Sequence, residues 1–383
     1  MRAALLLAVM AALTFGALQL PWPFAYVLPL WAVFLGVAVW RTRRGAVRRH
    51  PARRLALLGL GLVAPLAVIE VVLVLAPNVG KSGRMEGTYP TAALWGEHPE
   101  FGYAPTPGVV ATARSIQGER VVYDVTYTYD AHGQRVSAPV AAPPAKASVL
   151  CVGCSFTLGE GVSDTESYPY RVGELSGRTL EVHNFGFHGY GPHQSLAALQ
   201  SGIAAEVAES PVALVVYLAI PDHIVRVAGR KTWDPAGPWY VLEDGALRRA
   251  GNFDDRAGPA FPSRAWFFDT FAESALVQRL RQNPGDLRPV DIALYEAIVA
   301  ELRAESSQRF PGAAFHLLAW EGPPEWWDCL RRLEARGVPV HAVHGMVPGL
   351  AEGARIPTIP GDPHPTPAVQ DAIARFVVEQ LVR

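Results

Sequence analysis

Cysteine is scarce: Cys151, Cys154 and Cys329 are the three in 383 residues, too few and too irregular for a disulfide framework. Charge is scarce as well. Only 18% of residues are charged and the net charge is −1. A nucleic-acid binder would carry a basic domain, so that class is excluded. Internal repeats and low-complexity tracts are missing, which excludes the repeat architectures. Cys151 and Cys154 do read C-x-x-C, but Cys151 lies inside an apolar run. Small buried hydrophobes explain that pair better than a redox couple does.

What the chain has in abundance is apolar residues, which make up 50% of it. They concentrate first at the N-terminus. Residues 3–20 and 24–40 are uncharged, with the helix-breaking "PWP" near their junction. Next comes "RTRRGAVRRHPARR", with seven arginines and no acid, and then a third apolar stretch over 55–76. A bilayer core needs about 20 apolar residues per helix. We therefore expect a membrane anchor over 1–80 with three transmembrane helices. The arginine loop should stay cytoplasmic by the positive-inside rule. The chain after about residue 80 then faces the periplasm or the exterior, making this a multi-pass protein of the cytoplasmic membrane. A cleaved signal peptide fits residues 1–20 less well, because two more apolar stretches follow. Glu70, inside the third stretch, is an intramembrane carboxylate.

Residues 81–147 are rich in Pro, Gly, Thr and Tyr and predict a small β-rich accessory segment ending in the linker "SAPVAAPPAKA". In "ERVVYDVTYTYDAHGQRV" the alternation predicts a strand pair turning at "DAHG". From 148 onward, short apolar strands alternate with amphipathic helices. That pattern predicts an α/β fold with a parallel sheet. "DTESYPYRVGELSG" reads as a helix capped by Asp164 or Thr165, and "VALVVYLAI" as a strand covered on both faces. Residues 225–286 read as an irregular insertion holding Trp233, Trp239 and Trp266, a lid or a substrate wall.

In parallel sheets, ligands and catalytic groups gather beyond the carboxyl ends of the strands. Ser155 follows the first strand of this domain. Asn184, Gly186 and Gly189 follow the second, Asp222 and His223 the third, and Asp362 and His364 precede the final helix. A serine, a histidine and a carboxylate on one rim are the constellation of nucleophilic acyl transfer. Serine is a weak nucleophile until a base takes its proton, and the base needs a partner to hold its tautomer. His183, His188 and His193 cluster in the chain but match no familiar metal-ligand spacing. Asp222 and His223 have a structural alternative, pairing with Arg226.

The blocks "GCSFTLGEGV", "NFGFHGYG" and "DPHP", in this order, resemble the SGNH/GDSL hydrolase family over about residues 148–383. The resemblance implies a flavodoxin-like, three-layer domain and a serine esterase or acyltransferase that needs no cofactor and no metal. By resemblance Ser155 is the nucleophile, His364 the general base and Asp362 its orienting carboxylate. The backbone N–H groups of Ser155 and Gly189 would serve the oxyanion.

The chain departs from the family pattern twice. Cys154 replaces the acidic residue of "GDS", which the chemistry does not require. Pro221 stands where the third block supplies an asparagine to the oxyanion hole. Losing one such donor costs about 100- to 1000-fold in rate, and Asn184 and His223 are the candidate substitutes. The resulting expectation is a membrane-anchored serine esterase acting on an O-acylated cell-envelope glycan or lipid, among envelope-biosynthesis partners. Its rivals are an O-acyltransferase to an envelope polysaccharide and a catalytically inactive glycan-binding scaffold.

Overall fold

A computed structural model describes residues 24–41, 51–75, 83–89, 94–142, 144–231, 233–256 and 287–382. The chain divides into two compact units, one holding the apolar helices and the other residues 83–256 and 285–383. In the first unit, helix α1 spans Phe24–Arg41 and α2 spans Pro51–Leu75. Among the described residues, only Leu57–Leu75 of α2 is long and apolar enough to cross a membrane, and the apolar part of α1, Val27–Val37, is shorter. The three-span expectation is thereby reduced to one qualifying helix among the described residues; 3–20 lies outside them. Glu70 is fully buried in α2.

The second unit begins with β1 (Gly83–Gly87), β2 (Trp95–His98), β3 (Gly102–Pro105), β4 (Val110–Gln117) and β5 (Arg120–Thr128). These form an antiparallel sheet β1-β4-β5 and the ribbon β2-β3. The expected turn at "DAHG" is real, with Asp130 accepting from the backbone of His132 and Gln134, but it closes only a bridge between Tyr129 and Arg135. The partner of β5 is β4, across Gly118 at φ +60°.

The α/β part follows with strands β6 (Ala147–Gly153), β7 (Leu180–Gly186) and β8 (Val212–Ala219). Its first helices are α3 (Ser155–Leu158), α4 (Tyr168–Leu175), α5 (Pro192–Gln200), α6 (Ile203–Glu206) and α7 (Asp222–Val227). Then come β9 (Pro238–Glu243), β10 (Ala246–Asn252), α8 (Pro289–Arg309), β11 (Ala314–Ala319), α9 (Pro324–Ala335), β12 (Val340–Ala342) and α10 (Pro367–Phe376). The main sheet runs β12-β11-β8-β6-β7 and is parallel throughout. This is the expected three-layer α/β order.

Both faces of the sheet are apolar because both are covered. Leu150, Val152, Val215 and Tyr217 pack under α5, α8 and α9 through Leu196, Ile298 and Trp326. The alternate residues Val149, Cys151, Leu214 and Val216 pack under α4 and α10 through Tyr168, Val172 and Ile373. Cys151 and Cys154 are free and buried, and burial pushes the Cys151 thiol up to about 12. Register brings the strand ends level: Gly153 lies opposite Gly186 and Leu218, and Ala219 opposite Ala319.

Two local expectations are corrected. The cap of α4 is Ser167, after a separate helical turn over Asp164–Glu166 with its own Ser163–Glu166 capping box. The "irregular" insertion contains the β9-β10 hairpin, whose turn Asp244-Gly245 has φ of +51° and +81°. An Asp-Gly turn of that hand matches the twist of its strands. Residues 257–286, Trp266 among them, lie outside the described residues.

A third core joins the accessory sheet to the α/β layers, with Tyr123, Tyr127 and Tyr129 packed on Leu158, Val162 and Phe187. At its centre lies Arg135, 1% exposed. Its Nη1 donates to the carbonyls of Leu158 (2.9 Å) and Gly159 (2.6 Å), and its Nη2 to that of Val162 (2.8 Å). Its Nε donates to Asp164 Oδ1 at 2.8 Å, and the guanidinium sits 4.6 Å over the Tyr127 ring. Removing one partner of such a buried set strands the others. Arg135→Met should therefore destabilise this unit by about 3–5 kcal/mol, read as a lowered urea midpoint; an unchanged midpoint would show that the clamp does not hold the loop.

Candidate active site

Strand β6 ends at Gly153, whose φ is +150°. A Cβ there would lie 2.3 Å from Thr157 Oγ1 and 3.0 Å from the Leu218 carbonyl, so only glycine lets the chain turn this sharply. Ser155 then opens the single helical turn α3. Its backbone N–H is among those a helix start leaves without an intrahelical acceptor.

The segment before α10 folds as a tight loop. Thr358 bridges Pro365, Ile359 N donates to the His364 carbonyl at 2.9 Å, and Asp362 N donates to the Ile359 carbonyl at 2.8 Å. Thr366 caps α10, its hydroxyl accepting from Val369 N at 3.4 Å, which leaves Asp362 free for another partner. Asp362 Oδ1 accepts from His364 Nδ1 at 2.5 Å and from His364 N at 3.0 Å. With Nδ1–H so held, His364 Nε2 accepts from Ser155 Oγ at 2.9 Å. The three side chains are largely buried and hydrogen-bonded in series across 209 residues of chain.

A cavity of about 620 Å³ opens over this line. Its walls include Tyr89, Trp95 and Tyr103 from the accessory segment, and Gly189, Arg226 and Trp233 from the α/β part. Volumes of this size are usual for small-ligand sites. Gly189 has φ +72°, and a Cβ on it would meet Trp233 Nε1 at 2.4 Å and the Tyr103 hydroxyl at 2.7 Å.

Glu160, five residues past Ser155, enters the same cavity. Its Oε2 accepts from His188 Nδ1 at 2.7 Å and lies 3.4 Å from His364 Nε2. Its Oε1 accepts from the Tyr89 hydroxyl at 3.3 Å. Burial alone would push this carboxyl up. The imidazoles of His364 and His188 and the Tyr89 hydroxyl more than reverse that and hold it at about 2. Burial likewise opposes charge on His364, but Glu160 and Asp362 outweigh it and raise the imidazole above its ordinary value. Burial also raises the Tyr89 phenol, which keeps its proton.

The expected site residues separate into two groups. Ser155, His364 and Gly189 come together in one cavity, with Asp362 joined to it through His364. Asn184 does not: its amide nitrogen donates to the Leu158 carbonyl at 3.3 Å, and its oxygen accepts from Gly186 N at 3.0 Å. It lines a separate cavity of about 320 Å³, so it is no substitute oxyanion donor. His223 is also excluded; fully buried in the core, it pairs with the Tyr217 hydroxyl at 2.7 Å, and burial holds it neutral, well below the ordinary value. Asp222 reaches the cavity wall but is occupied by Arg226 (2.8 Å) and Lys231 (2.7 Å).

The three clustered histidines have separate tasks. His183 meets Gln134 and Glu181, His188 meets Glu160, and His193 meets Asp234. Among the described residues no group of three metal-ligating side chains converges. Sequence reasoning missed Glu160, Tyr89 and Tyr103. The only available signal was the aromatic richness of the accessory segment.

No family model matches the sequence, and no curated protein matches it. Among solved structures the chain is similar to a protein described as a lipolytic member of the G-D-S-L family, from Desulfitobacterium hafniense. There the identity is 10% and the TM-score 0.35, over 61% of this chain and 99% of that one. It is also similar to an acetyl xylan esterase from Butyrivibrio proteoclasticus, at 11% identity and TM-score 0.35, over 63% of this chain and 64% of that one. A carbohydrate esterase family 2 enzyme with a carbohydrate-binding domain, from Corynascus thermopiles, gives 14% and 0.36, over 69% and 71%. Likenesses this distant carry nothing about chemistry.

Glu160 makes stability depend on pH. Its carboxyl titrates at about 2 in the folded chain but near about 4.3 when unfolded. Between these values the unfolded state binds more protons, so stability present above the window is lost as pH falls through it. Urea midpoints should therefore drop less steeply below about pH 4.3 in Glu160→Gln than in the unaltered protein; parallel profiles would remove this charge from the stability of the site.

Proposed function

We propose that this protein is a membrane-anchored serine esterase of the SGNH/GDSL type, acting through an acyl-enzyme on an O-acylated glycan or lipid of the cell envelope. One observation carries the reading: the hydrogen-bonded series Asp362–His364–Ser155 at the floor of an aromatic-walled cavity.

Ser155 Oγ attacks the ester carbonyl while its proton passes to His364 Nε2. Asp362 holds Nδ1–H, fixing the tautomer and stabilising the imidazolium. The tetrahedral intermediate collapses, the C–O bond to the alcohol breaks, and the alcohol oxygen takes the proton from Nε2. Water, deprotonated by the same nitrogen, then attacks the acyl-serine; the bond from the acyl carbon to Ser155 Oγ breaks, Oγ takes the proton back from Nε2, and the acid leaves. The N–H of Ser155, at the start of its helical turn, and that of Gly189 are the proposed oxyanion donors.

The anchor rests on the apolar helix Leu57–Leu75 and on the arginines before it, which favour a cytoplasmic N-terminal side of that span. An envelope substrate follows from that placement. The inactive-scaffold alternative is opposed by the intact series of three side chains. A glycan acyltransferase would share the same acyl-enzyme and differ only in the acceptor, so product analysis with and without a sugar acceptor separates the two.

Labelling the full chain in detergent with a fluorophosphonate probe should place an adduct on Ser155. Ser155→Ala should abolish it, and His364→Ala should slow it by about 100-fold or more. A folded protein without adduct would sink the esterase reading. Alkaline phosphatase fused after about residue 80, at the exit of a single positive-inside span, should be active outside the cytoplasm; an inactive fusion would overturn the orientation.

A further inference from the structure

We propose that Glu160 is a positioning residue of this site: a second carboxylate, held by His188 and Tyr89, that acts through the Nε2 side of His364. The inference rests on the esterase reading above and adds a fourth side chain to its proton chemistry.

The geometry separates Glu160 from Asp362. Asp362 takes the Nδ1 proton, which is present in every state of the base. Glu160 Oε2 faces Nε2 at 3.4 Å, the nitrogen that accepts the Ser155 proton. In the resting enzyme Nε2 carries a lone pair, and the carboxylate gains no hydrogen bond from it. Once Nε2 has taken the proton, the same carboxylate lies 3.4 Å from the nitrogen of a cation. The interaction is therefore stronger after proton transfer than before it, which is the condition for lowering the barrier.

Glu160 cannot turn away cheaply. His188 Nδ1 holds Oε2 at 2.7 Å and the Tyr89 hydroxyl holds Oε1 at 3.3 Å, with the two rings 4.3 Å apart. His188 follows β7 and Tyr89 lies in the accessory segment, so two parts of the chain hold one carboxylate. The groups facing His364 are Asp362 in its own loop, Glu160 and Ser155 from the turn after β6, and Arg226 from α7, whose charge opposes the carboxylates. Around Glu160 stand His188, Tyr89, Tyr123 and Tyr127, and the tyrosines keep their protons.

The experiment is the pH profile of kcat/KM for a short-chain p-nitrophenyl ester, with the full chain in detergent. His364 must be neutral to act as the base, so its protonation sets the acidic limb. An adjacent carboxylate raises that limb. Glu160→Gln should lower it by about one unit or more. Glu160→Asp keeps the charge but withdraws it by one methylene, and should lower it by less. A folded Glu160→Gln variant with an unmoved limb would overturn the proposal, whatever its kcat; should that variant not fold, an unmoved limb in Glu160→Asp would do so. Diethyl pyrocarbonate modification of His364, followed by peptide mass spectrometry across pH, reads the same protonation without turnover. If the unaltered protein hydrolyses no ester, the esterase reading fails. A His364 modification profile that shifts in Glu160→Gln would then still support the Glu160–His364 contact, and one that does not would overturn it.

Discussion

The site depends on one buried cation. Arg135 takes the carbonyls of Leu158, Gly159 and Val162 and the carboxylate of Asp164, a segment that follows Ser155 closely in the chain. The Leu158 and Gly159 carbonyls also accept from Asn184 Nδ2 and Val162 N, but the Val162 carbonyl relies on Arg135, and a protein interior tolerates few unpaired polar groups. Arginine suits the task because its rigid fork presents five donors. The same clamp fixes the direction in which Glu160 leaves the loop, and it makes the accessory sheet part of the site.

Within that frame the electrostatics follow from spacing. One imidazole lies between two carboxylates, each on a different ring nitrogen. Asp362 accepts a hydrogen bond from Nδ1, while Glu160 lies 3.4 Å from Nε2 as a charge contact. Arg226 on the opposite wall limits how far the ring's basicity rises. Its own charge is balanced by Asp222, which explains why an acidic residue at the rim does not enter the proton path.

The fold was legible where local chemistry repeats. Short apolar runs between amphipathic helices marked the main-sheet strands β6, β8 and β11. Glycine turns and the Asp-x-His pair before the last helix marked Ser155, Asp362 and His364. Other features were open to misreading. Asn184 sits beside glycines in the way an oxyanion donor would, but its side chain points to a turn it stabilises. His223 follows a reactive-looking aspartate, but helix α7 rotates it into the core. The Asp244-Gly245 hairpin was readable from its dipeptide, although the segment around it read as irregular.

The sequence by itself determined the alternation of strands and helices and the apolar helix, because both follow from periodicity, and it placed Ser155, Asp362 and His364 at strand ends, their roles being what the family resemblance implies. Only the tertiary structure decided which carboxylates face His364, which aromatic rings wall the cavity, and which arginine ties the two sheets together. Those contacts join residues as far apart as Tyr89, Glu160, His188 and His364. No local pattern encodes them, because they arise from how the accessory sheet packs on the strand ends.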